Sequence, residues 1–81
     1  MKPESFQFFA KTKGINLHKD DIAFIKRCLG YIPYNERRKT LEKYAEEWLK
    51  AMNETDKVIA KQNVGRRRAN IFLRELVENR N

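Results

Sequence analysis

Cysteine is nearly absent from this chain. Cys28 stands alone, so no internal disulfide can form and a secreted scaffold stapled by disulfides is excluded. Histidine is equally scarce, with only His18. Two prolines and three glycines rule out a collagen-like or loop-dominated chain. No apolar run approaches the roughly 20 residues that span a bilayer. The opening Met1-Lys2-Pro3-Glu4-Ser5 lacks the character of a secretory signal, and the expected location is the cytoplasm. At 81 residues the chain is expected to be one small domain over 1–81, because a second core needs more length.

What is present is positive charge and enough apolar residues to fold. Hydrophobic residues make up 41% and aromatics 11%, above the apolar-poor regime of disordered segments. Eighteen Lys and Arg against eleven Asp and Glu give +7, which favours polyanionic or acidic partners. Lys57, Lys61, Arg66, Arg67, Arg68 and Arg74 occur in a stretch with no acidic residue, and Arg37-Arg38-Lys39 forms a second cluster. The acids gather between Glu42 and Asp56.

The pattern is all-α, a small bundle of three to four helices. The first is expected over about 4–13, with Pro3 in its opening turn and Gly14 as its stop. Phe6, Phe9, Ala10 and Lys13 share one side, and Phe8 points elsewhere. A second helix over 19–29 starts with Asp20 and Asp21, which suit the positive helix end. It carries Ile22, Ile25 and Leu29 at helical spacing and ends at Gly30. Pro33 biases Ile32 away from helical angles, and Asn35 is the expected N-cap of a third helix over 36–52. That helix has the cleanest stripe, formed by Leu41, Tyr44, Ala45, Trp48, Leu49 and Met52. Glu46–Lys50 and Lys43–Glu47 are spaced as i,i+4 pairs along it. A last helix over 56–78 puts Val58, Ile59, Ala69, Phe72, Leu73, Leu76 and Val77 on one face. Arg66 falls on that apolar face, and Gly65 leaves the continuity of the helix open.

Catalysis is poorly supported. His18 and Cys28 have no third partner of the kind that activates a nucleophile; Cys28 is expected as a packed thiol and His18 as a cap or surface residue. No clustered ligands suggest a metal and no Gly-rich phosphate cradle is present, so no cofactor is expected. The basic stretch is the stronger candidate. Lys57, Lys61 and Arg68 form one expected stripe and Arg67 and Arg74 another, able to track DNA or RNA phosphates without reading bases. Arg66 and the Arg37-Arg38-Lys39 cluster would add to it. The connection over 30–35 is longer than a helix-turn-helix wants, and contains Pro33.

A competing expectation is an acidic protein partner. Val64 and Ile71 project between the two basic stripes, and with Arg67, Arg68 and Arg74 they could hold an acidic amphipathic helix. Phe8, Tyr31 and Tyr34 are candidate anchors. Self-association into a homodimer is a variant of the same idea, since a chain this short gains by completing its core with another subunit.

The runs Tyr31-Ile32-Pro33-Tyr34-Asn35-Glu36-Arg37-Arg38, Tyr44-Ala45-Glu46-Glu47-Trp48 and Gly65 through Glu75 resemble small basic helical accessory proteins of tailed phages and prophages. The resemblance implies a protein of the host-cell cytoplasm that binds DNA or captures a host or phage protein. It implies no catalytic residue.

Overall fold

The computed structural model describes residues 3–80, four α-helices and one 3-10 turn, with no strand among them. Helix α1 spans Pro3–Thr12. It closes by three backbone bonds, Lys13 N–H and Ile15 N–H to the Ala10 carbonyl at 3.0 and 2.9 Å and Gly14 N–H to that of Lys11 at 3.1 Å. Gly14 sits at φ +83°, the left-handed conformation this closure requires and that only glycine takes without strain. The turn drops Ile15 into the core.

Helix α2 spans Lys19–Leu29. The Asp21 carboxylate accepts the His18 backbone N–H at 2.9 Å, which satisfies one orphan donor of the first turn. At the far end Gly30 is not left-handed; its φ is −62°. The chain leaves through successive short-range bonds from Gly30, Tyr31 and Ile32, and Pro33, lacking an N–H, stops it. The connection to α3 is therefore only Gly30 to Pro33, shorter than expected.

Helix α3 spans Tyr34–Asn53. It begins two residues earlier than the sequence pattern suggests. Pro33, held at φ −53° by its ring, takes the N-cap place expected of Asn35, which lies inside the first turn. The apolar stripe is where it was expected: Leu41, Tyr44, Ala45 and Trp48 are buried, and Leu49 and Met52 pack against that core. Neither Lys43–Glu47 nor Glu46–Lys50 forms. The i,i+4 pair that does form is Arg38–Glu42, at 3.4 Å.

After α3 the chain runs non-helically to a single 3-10 turn over Val58–Ala60, and α4 then spans Lys61–Arg80 without interruption. Helix α4 starts five residues later than expected, so extrapolating its face back to Val58 and Ile59 fails, and both side chains stand in solvent. Gly65 does not break α4. A Cβ there would lie 2.4 Å from Trp48 Cδ1, so the glycine exists to let α4 lie directly on the indole. Helices α3 and α4 make the largest helix–helix contact and run antiparallel, with Trp48 against Gly65 near one end and Glu36 bonded to Arg80 at the other. Phe6, Ile25, Leu41, Tyr44, Trp48, Ala69 and Leu73 fill the space between this pair and α1–α2.

Candidate nucleic-acid interface

Buried side-chain polar atoms are all satisfied among the described residues, and the bundle's internal hydrogen bonds take up several of the cations expected to face a partner. Arg66 is the clearest case. It lands on the apolar face as the sequence says, and its Nε donates to the buried Asp21 carboxylate at 2.7 Å. Its other nitrogens donate to the Asn16 carbonyl and the Asn63 side chain, and its guanidinium lies 5.1 Å from the Trp48 ring centre. Asn70 joins this network, its amide N–H reaching Asp21 at 3.4 Å and its oxygen accepting the Tyr44 hydroxyl at 2.6 Å. Asp21 looks in sequence like a helix-start charge. Its role as counterion to Arg66, 45 positions away, has no local signal.

Lys61 is also directed inward, donating to the Met52 and Thr55 carbonyls at 2.9 Å each, where it caps the end of α3. Arg68 folds back on Glu47 and Glu54. Lys57 lies before the 3-10 turn, so Lys57, Lys61 and Arg68 do not form a continuous outward stripe. Of the expected basic track on α4, Arg67 and Arg74 stay exposed and free of any ion pair among the described residues. Val64 and Ile71, two turns apart, lie on the same outer side and are about two-fifths exposed.

The second basic cluster is arranged differently. At the corner where α2 turns into α3, Tyr31 is 62% and Tyr34 83% exposed. Lys26 and Arg27 stand on the α2 side and Arg38 and Lys39 on the α3 side, all facing solvent. Arg37 braces the corner: its Nε donates to the Ile32 carbonyl at 2.9 Å, and its guanidinium sits 5.8 Å from the Tyr34 ring centre. Arg74 approaches from α4. Burial pushes the Cys28 thiol above its ordinary value, against the smaller opposing pull of Arg27 and then Arg74. Cys28 is thus a packed, neutral thiol, as expected. The sequence suggests Tyr31 and Tyr34 as anchors for protein contact; the four-residue turn sets them beside Lys26 and Arg27 at the end of α2.

Among the described residues no three acidic, His or Cys side chains cluster as metal ligands, and no helix is long and apolar enough to cross a membrane. Compared with known proteins, the chain matches no family model, no curated protein and no solved structure.

Proposed function

We propose that this chain is a non-enzymatic accessory protein, of the small basic kind carried by tailed phages, that binds nucleic acid at the α2–α3 corner. One observation carries the reading: two tyrosine rings held out in solvent at a short turn, with Lys26 and Arg27 on α2 and Lys39 on α3 outside any ion pair among the described residues, Arg38 paired only to Glu42 on the helix surface, and Arg37 bracing one ring. Aromatic faces on which bases stack, interleaved with cations that track phosphates, are the combination used for single strands. Exposing two such rings to water has little value for stability alone. Counterion release drives the association, and base identity contributes little.

Fluorescence anisotropy of labelled oligonucleotides at about 50 and 200 mM salt tests this, since several phosphate contacts cost orders of magnitude in affinity across that range. Tyr34→Ala should weaken binding roughly 5- to 150-fold, the equivalent of about 1–3 kcal/mol of lost stacking. Neutralising Arg38 and Lys39 should flatten the salt slope. Absence of saturable binding at low salt, or a Tyr34→Ala variant that binds like the parent, removes the reading.

A second reading has its own support in Val58 and Ile59, 78% and 96% exposed, and in Val64 and Ile71, about two-fifths exposed on the helix that also carries Arg67 and Arg74. It is a protein partner with an acidic surface, or a second copy of this chain. Ile71→Glu separates the readings. It should leave oligonucleotide affinity within a factor of about two if the corner alone binds, and abolish a protein complex in which Ile71 is an anchor.

A further inference from the structure

Between the first half of α3 and the last half of α4 lies an open cleft of about 170 Å³. Thr40, Phe72 and Leu76 line its floor, Lys39 and Lys43 its rim, and the Glu36–Arg80 ion pair closes one end. We infer that this cleft receives one base of a single-stranded nucleic acid, with the neighbouring phosphates on Lys39 and Lys43. The inference rests on the reading above and specifies its substrate as single strand in preference to duplex.

Size fits first: an apolar cavity of about 150 Å³ holds a benzene ring, so a cleft of this volume, open on one side, accommodates a flat heterocycle. The floor fits next. Phe72 and Leu76 are only partly buried and offer an aromatic and an aliphatic surface to a ring face, which every base possesses. The charges fit third. Lys39 and Lys43 have no carboxylate partner among the described residues: Glu36 and Glu42, one turn either side of Lys39, pair with Arg80 and Arg38, and Glu47, one turn beyond Lys43, is drawn across to Arg68. The lining therefore carries a positive excess at the mouth of an apolar recess, which suits a base flanked by phosphates. Continuity with the corner comes last. Asn35, Arg38 and Lys39 are exposed on α3 between Tyr34 and the cleft, and Thr40 lies six positions beyond Tyr34, about 9 Å of rise. At 100° per residue Arg38, Asn35 and Lys39 step round α3 from Tyr34 toward the cleft, so a strand stacked on Tyr34 reaches the recess by winding about half-way round the helix. A duplex cannot do so without unstacking a base, at a cost of a few kcal/mol.

The test is a titration of the ¹⁵N-labelled full chain with a short oligothymidylate and, separately, a duplex of equal length, read by amide shifts and by intermolecular NOEs. NOEs from thymine to the Phe72 ring and Leu76 methyls, with single strand bound at least about tenfold tighter than duplex, are the expected result. Leu76→Trp, which fills the recess, should erase that preference while leaving the Tyr34-dependent binding; if that variant fails to fold, the NOEs on the parent chain decide. Shifts confined to residues 26–39, with no contact to Phe72, overturn the cleft assignment and leave the corner reading standing. No binding of either oligonucleotide overturns both. A capped acidic peptide with a central phenylalanine that occupies the cleft when oligothymidylate does not overturns it too, and gives the cleft to a protein partner.

Discussion

Replacing Gly65 with alanine opposes two effects of similar size, and the structure decides which wins. In an exposed helix interior the change would stabilise by about 1 kcal/mol, because alanine loses less conformational freedom than glycine. Here the new methyl would lie 2.4 Å from Trp48 Cδ1, 2.6 Å from Nε1 and 2.9 Å from Cγ, distances no folded protein tolerates. The indole cannot yield cheaply. It is fully buried, packed 6.0 Å from the Tyr44 ring, overlain by the Arg66 guanidinium, and anchored by its N–H to Gln62 Oε1 at 3.1 Å. Gln62 in turn donates to the Gly14 carbonyl at 2.7 Å, so a displaced indole strains the α1–α2 connection as well. Overpacking of this kind costs about 1–3 kcal/mol, and loss of the Trp48–Gln62 bond adds about 1 kcal/mol. The net expectation for Gly65→Ala is destabilisation by about 1–3 kcal/mol, a fall in Tm on the order of 5–20 °C for a domain of this size. Urea unfolding followed by far-ultraviolet circular dichroism should show a lower midpoint with an unchanged slope. A variant as stable as the parent, or more so, would refute the close approach of α4 to Trp48.

Removing one partner of the buried Asp21–Arg66 pair, as in Arg66→Met, should cost about 3 kcal/mol, while Asp21→Leu combined with Arg66→Met should recover most of it; a urea double-mutant cycle measures the coupling. Burial pushes the Tyr44 phenol upward, Asp21 adding to the effect and Arg66 opposing it. The unfolded chain thus loses this proton first, and stability should fall above pH 10 by up to about 1.4 kcal/mol per pH unit, a slope that Tyr44→Phe should flatten in urea titrations between about pH 8 and 11. Val58→Ser with Ile59→Ser should change stability by no more than about 0.5 kcal/mol, since both side chains are already in water; a larger loss measured by thermal unfolding would place them in the core.

Sequence alone determined the helical class and three of the four helices to within two residues, because periodic apolar spacing and the local stops Gly14 and Pro33 act over a few positions. The α3 stripe was legible for the same reason: one helix turn repeats every few residues, and burial selects the apolar side. Arg66 on the apolar face registered as an anomaly, but its resolution needed Asp21 from another helix. The late start of α4 was hidden because Lys61, donating to carbonyls near the end of α3, fixes a turn whose energetics are tertiary. Gly65 reads locally as a weak point and becomes a close contact only when Trp48 lies opposite. The candidate interface follows the same division. Positive charge is a property of composition, but whether a given Lys or Arg faces outward depends on which acceptors the fold places within its reach. Lys61, Arg66 and Arg68 found such acceptors. The cations around Tyr31 and Tyr34 other than Arg37 and Arg38 did not, because Glu36 in the first turn of α3 is taken by Arg80 and Glu42 by Arg38.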